Sequence, residues 1–230
     1  MKVLFTVLAV IVAIVALVAL PILMPTPSGH GDRPVTGLPW QIEPQVDGTA
    51  RIFGLTLGTG TLADARQRFG TDHEIAIVAA PGETGSLEMY FPDVTLGAVT
   101  GKLIVTADLT DQALAAMRER AAKGKYMQSS TKKASLADED IAVAYAARMR
   151  GIAFVPSVNL DEAMILQRFG QPTERIPGAD KTEHFLYPER GLDVVLNAQG
   201  KELIQYIAPR DFSHLREPLT RNDPNKADPR

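Results

Sequence analysis

The apolar positions of this chain follow three patterns, and the changes between them mark its elements. From Val3 to Met24 nothing is charged, and Thr6 carries the only hydroxyl. At about 1.5 Å per residue, a helical run of this length crosses the roughly 30 Å hydrocarbon layer of a bilayer. A helix is also the one single segment whose backbone satisfies itself in lipid. The run therefore predicts a transmembrane anchor over residues 1–24. A removed signal peptide would have an apolar stretch of about 7–15 residues and a small-residue cleavage pattern; "LPILMPTPSG" fits neither. Residues 25–39, "PTPSGHGDRPVTGLP", are rich in Pro and Gly and predict an extended linker.

From Trp40 the period becomes two. "WQIEPQVDGTARIFGL" alternates on either side of Asp47-Gly48, a hairpin signal. "GTGTLADARQRFG" then shifts to a helical period. Thr61 is placed to cap the helix, with Asp64 at its positive end. Leu62, Ala65 and Phe69 share one face, and Gly70 suits a left-handed cap. Three strand-like runs follow, Glu74–Ala80, Ser86–Phe91 and Gly101–Leu109, separated by turns at "PGETG" and "PDVTLG". Residues 40–109 thus predict a unit of strand, short helix and antiparallel meander.

The tetrapeptide Gln67, Arg68, Phe69, Gly70 returns as Gln167, Arg168, Phe169, Gly170, and Ile52–Gly70 aligns with Ile152–Gly170 without a gap. Outside the tetrapeptide only the Ile and one Ala are identical, but the order of events repeats. Asn159 with Glu162 predicts a capping pair, and Leu160, Met164 or Ile165, and Phe169 an apolar face. Strand-like runs at Glu183–Pro188, Gly191–Asn197 and Lys201–Pro209 complete a second unit over residues 151–210. An aromatic strand precedes the last strand in both units, Tyr90-Phe91 in one and Phe185 with Tyr187 in the other. The expectation is a duplicated α+β unit.

Between the units, residues 110–150 predict a helical connector: two alanine-rich runs capped by Thr110 and Ser135 and stopped at Gly124 and Gly151, around a stretch, "KYMQSSTKKASL", open to strand or loop. Residues 211–230 alternate charge, carry Pro218, Pro224 and Pro229, and predict a flexible tail.

Charge adds orientation. Lys2 is the one basic residue before the span, which under the positive-inside rule leaves the N-terminus in the cytoplasm. In a bacterium the body would then face the periplasm from the inner membrane. The chain has 24 basic and 27 acidic residues, so the part beyond Met24 lacks the basic face that nucleic acid requires. It contains no cysteine, which excludes a lipoprotein anchor.

The cap, short helix, "FG" and following "xP" of "LGTGTLADARQRFG" and "NLDEAMILQRFGQPTERI" resemble the repeated unit of the small outer-membrane-assembly lipoprotein and of the β-lactamase-inhibitor-protein-like fold. That resemblance implies a periplasmic protein, helices packed on an antiparallel sheet, and protein–protein contact. More of the chain, through "WQIE", "FGLTLG", "FVPSVNLDE", "RFGQPTER" and "LYPERGLD", resembles single-pass membrane-anchored proteobacterial proteins, a likeness that implies a location and no particular activity.

Candidate chemistry is sparse. His30, His73, His184 and His214 are scattered, without the short regular spacing of a zinc site. No "GxSxG" turn, phosphate loop or complete "GxGxxG" occurs. Asp138, Glu139 and Asp140, and Asp161 with Glu162, fall at helix starts, where acidic residues contribute about 0.3–1 kcal/mol each. The sequence therefore predicts no catalytic, cofactor or metal residues. It points to a membrane-tethered extracytoplasmic module that binds another envelope protein, with Trp40 and Tyr187 as candidate anchors. The alternative is an envelope enzyme or small-ligand binder with its site in the groove between the units.

Overall fold

Two antiparallel sheets and five short helices make the described chain an α+β protein. The computed structural model describes residues 36–80, 84–121, 125–126, 132–179 and 181–221. The expected anchor, most of the linker, His30, the stop at Gly124 and the end of the tail lie outside the described residues. Among those described, no helix is long and apolar enough to cross a membrane.

The first sheet joins β1 (Ile42–Pro44), β2 (Ala50–Ile52) and β3 (Leu55–Leu57). Its period is two: Ala50, Ile52, Leu55 and Leu57 are buried while Arg51 is exposed. The turn falls at Asp47-Gly48 as expected, with Asp47 Oδ1 accepting from the Thr49 N–H at 3.0 Å and its hydroxyl at 2.6 Å.

The second sheet has ten strands. In chain order they are β4 (Glu74–Ala79), β5 (Ser86–Leu96), β6 (Val99–Asp108), β7 (Lys125–Tyr126), β8 (Lys132–Ser135), β9 (Arg148–Pro156), β10 (Glu174–Pro177), β11 (Thr182–Tyr187), β12 (Leu192–Asn197) and β13 (Leu203–Ile207). In space the order is β10-β11-β12-β13-β9-β6-β5-β4-β8-β7. β9 bridges the meander β4–β6 and the meander β10–β13.

One cross-strand row forms the spine of the core: Phe91, Leu103, Phe154, Ile204, Val194 and Phe185 are successive partners across β5, β6, β9, β13, β12 and β11. All six are essentially inaccessible to solvent, and burying each such side chain contributes about 1.5–3 kcal/mol. The helices α1 (Leu62–Phe69), α2 (Asp111–Arg120), α3 (Asp138–Ala146) and α4 (Glu162–Phe169) contribute to this same core through Leu62, Leu114, Ala144 and Ile165.

Several expectations need correction. Gly151 does not stop a helix: α3 ends at Ala146, and "RMRGIAFVP" is β9, with Met149, Ile152 and Phe154 buried between two partner strands. A Cβ on Gly151 would stand 2.9 Å from the Tyr206 carbonyl, so this glycine marks close strand approach. Ser135 caps nothing; it belongs to β8, opposite Ala76, and α3 starts after Ala137 with no side-chain cap. The "PDVTLG" turn is the second half of β5, which continues past Phe91 through a bulge and ends at Leu96. β10, paired with β11, lies outside the expected runs. The tail begins as a helix, α5 (Ser213–Arg221). Phe212, Leu215 and Leu219 form an apolar stripe that packs on Ile176, Leu186 and Ile207, and Arg216 forks onto Glu174 at 2.7 and 3.0 Å. Charge alternation in the flanking residues masked that stripe.

A candidate binding cleft beside the second FG helix

The two QRFG helices are built alike. α1 is capped by Thr61, whose hydroxyl accepts from Asp64 N–H while Asp64 Oδ2 accepts from Thr61 N–H at 2.8 Å, a full capping box. α4 is capped by Asp161, which accepts from Met164 N–H at 2.7 Å. The expected cap, Asn159, instead accepts from Lys201 Nζ at 2.7 Å, and Glu162 pairs with Arg175. Aspartate at 161 suits the role because its short carboxylate reaches the N3 amide. Both helices end at glycine with φ +95°, ψ −170° at Gly70 and φ +81°, ψ −169° at Gly170. This is not the expected left-handed cap but the positive-φ extended region that only glycine enters readily.

What surrounds the tetrapeptides differs. Arg68 donates to the Phe53 carbonyl at 2.7 Å, and Phe69 is half-buried, edge-on to Phe91. Arg168 makes no hydrogen bond or ion pair among the described residues; its guanidinium lies 4.7 Å from the centre of the Trp40 ring. Phe169 is buried beneath Trp40, with the rings edge to face at 6.4 Å and 88°. Gln67 and Gln167 are both exposed.

Trp40 is fixed by residues far along the chain. Arg190 donates to the Trp40 carbonyl at 3.2 Å and to the Phe169 carbonyl at 2.5 Å, and Tyr206 donates its hydroxyl to Pro39 O at 2.8 Å. Lys201 holds the loop before α4 through Ser157 O at 2.9 Å. Between these supports lies an apolar cleft of about 180 Å³, lined chiefly by Trp40, Phe154, Val158, Leu160, Met164 and Ile204, with Arg168 at its polar end. Val158 is 54% exposed and Met164 38%. No protein-family model, curated protein or solved structure matches this chain. The cleft is therefore read from its own chemistry.

The other proposed anchor takes a different position. Tyr187 is buried on the core side of β11, and its hydroxyl donates to the Gly170 carbonyl at 2.9 Å. Burial pushes its phenol above the ordinary range. It supports the cleft from within and offers nothing to a partner. Over the middle strands the inner face is filled: the Phe53 ring lies tilted to Phe154 at 6.4 Å and edge to face with Tyr206 at 5.3 Å.

Around α1 and α3 several polar groups are engaged. The N–H groups of Gly58, Gly60, Thr61 and Leu62 are taken by Met149 O, Thr56 O, Asp64 and Ala147 O, so the glycine-rich loop presents no anion cradle there. Asp140 is buried and forked by Arg120 at 2.6 and 3.1 Å. His73 bridges Gly70 O at 3.2 Å and Tyr145 Oη at 2.9 Å. No group of His, Asp and Glu among the described residues could hold a metal ion.

One polar cluster lies on the opposite face, beside the residues covered by α5. His184 Nδ1 sits 2.8 Å from Asp193 Oδ2, which also accepts from Gln205 at 3.2 Å, while the buried Oδ1 has no partner. Burial raises the Asp193 carboxyl above its ordinary range against the lowering effect of His184.

The sequence offered Met164 or Ile165 for the apolar face of α4, and the structure buries Ile165 and exposes Met164; Val158 and Arg190 were not singled out. A polar helix start followed by an apolar "AMIL" carried part of the signal, since four consecutive apolar positions cannot all face one core.

Proposed function

We propose that this chain is a membrane-tethered, extracytoplasmic protein-interaction module, held at the bacterial inner membrane by Val3–Met24 with its body in the periplasm. In this reading the body descends from a doubled helix-and-meander unit, the second copy of which keeps its helix open for docking. One observation carries it: the cleft beside α4 exposes Val158 and Met164 next to the aromatic floor of Trp40 and Phe169. Solvent-facing apolar groups gathered around a pocket, with a polar rim, mark contact sites more often than scattered ones do. The matching caps and glycine stops of α1 and α4, one hundred residues apart, support the duplication.

The test is site-specific photo-crosslinking in intact cells, with the reactive residue placed at Met164 or, as control, at Val46, which is fully exposed in the β1–β2 turn. A discrete adduct from position 164, absent from 46 and diminished by Trp40→Ala, is the expected result. Equal or absent adducts from both positions overturn the proposal. Protease accessibility of the body in spheroplasts tests the placement, which fails if the body is protected.

A further inference from the structure

Resting on that reading, we infer that the cleft selects a partner segment in which an apolar side chain stands beside a carboxylate. The lining of the cleft is almost entirely carbon, so it takes up an aliphatic or aromatic side chain and offers that side chain no hydrogen bond. Its rim is cationic. The Arg168 guanidinium lies 4.7 Å from the centre of the Trp40 ring, and none of its N–H donors is used by a described residue.

Some arginines elsewhere on the body are paired with acids, while Arg66, lying over the Tyr145 ring, shares with Arg168 the lack of an ion pair among the described residues. Arg120, Arg150, Arg175 and Arg216 are each paired with a carboxylate, of Asp140, Asp108, Glu162 and Glu174 respectively. In a chain with more acidic than basic residues, an exposed guanidinium on the cleft lining without an acid among the described residues leaves a local positive field. A guanidinium stacked on an aromatic ring keeps its in-plane donors free, and its fork matches a carboxylate in two parallel bonds. A carboxylate arriving at Arg168 would place the neighbouring side chain over Met164 and Leu160. A basic segment would meet like charge at the rim, which supplies the discrimination.

Trp40 is the only tryptophan of the chain, so its fluorescence reports the cleft directly. The experiment titrates the full chain, in phosphatidylcholine nanodiscs, with acetyl-Asp-Leu-Leu-amide, acetyl-Lys-Leu-Leu-amide and acetyl-Asp-Ser-Ser-amide. The expected result is that the first binds at least fivefold more tightly than either of the others. Arg168→Gln should erase the preference over the lysine peptide, and added salt should weaken it. Arg168 is exposed and unbonded, so this variant should leave the fold intact. Equal affinities, no binding by any peptide, or a preference unchanged in Arg168→Gln overturns the inference. So does a Trp40 shift produced by phosphatidylglycerol in the nanodisc without peptide, which would seat the cleft on lipid. If position 164 still crosslinks a partner while the peptides fail, only the acid selectivity falls; if the adduct is also absent, the docking reading falls with it.

Discussion

α1 and α4 show how the same local instructions can lead to different surfaces. Each runs for eight residues, starts at a side-chain cap, and ends in a glycine of the same unusual conformation. Each glycine carbonyl is held by a side chain, Gly70 O by His73 and Gly170 O by Tyr187. Around α1, however, the chain supplied a cover: Arg66 lies over the Tyr145 ring of α3, and Arg68 is drawn to the Phe53 carbonyl. Around α4 the indole of Trp40 lies over Phe169 and Arg168, and Met164 is left exposed. The capped helix is a structural unit, and its neighbours decide which of its side chains are covered.

The likeness and the difference can each be tested in the full chain by urea denaturation. The largest effect is expected at Phe169→Ala, about 3–5 kcal/mol, because a buried ring leaves a cavity beneath Trp40; Phe69→Ala should cost clearly less, since that ring is already half-exposed. Equal losses would break the contrast in packing. Gly70→Ala and Gly170→Ala should each cost about 1–3 kcal/mol, and by similar amounts, because the strain lies in the backbone and no neighbour crowds either position. A free substitution at one of them would break the likeness. Thr61→Ala and Asp161→Ala should each lose about 1 kcal/mol, the usual worth of a cap.

Asp193 sharpens the comparison from the far face of the large sheet. Burial raises its folded carboxyl above the unfolded value, so the fold holds that proton more tightly than the unfolded chain does. The associated stability is full below the unfolded carboxyl range and is lost as pH rises through the raised value. Asp193→Asn should therefore gain about 1 kcal/mol at pH 8, the scale of a buried unpaired polar group, and the gain should shrink in acid. Thermal melts at pH 8 and pH 4.5 check this, and a gain independent of pH would refute it. The smallest effect is expected at Met164→Ser, within about 0.5 kcal/mol as for a surface site, even though the same change should abolish the Met164-dependent contacts of the cleft.

Much of this was readable in advance. The Asp47-Gly48 turn, the Thr61 and Thr110 caps and the strands at Glu74–Ala79 and Leu192–Asn197 are set by period and by side chains that bond within three or four residues. Trp40, singled out in the sequence as a candidate anchor, lies in the lining of the cleft against Phe169 and Arg168. Tyr187 and Asn159 misled: a tyrosine in a strand is apolar or exposed depending on which face the register selects, and an Asn two residues early is as good a cap as an Asp until the helix start is fixed.

What the sequence determined by itself was the set of parts: short capped helices, alternating strands, glycine stops, and an apolar N-terminal run long enough for a membrane. Only the tertiary structure decided that "RMRGIAFVP" is the central strand, that "FSHLREPLT" clamps one sheet face, and that α4 rather than α1 turns a large apolar side chain, Met164, to solvent. The physical reason is range. Caps and periods act across one turn, whereas Phe154 is buried only because Leu103 and Ile204, about fifty residues to either side, pair with it, and no local pattern encodes which distant strands will arrive.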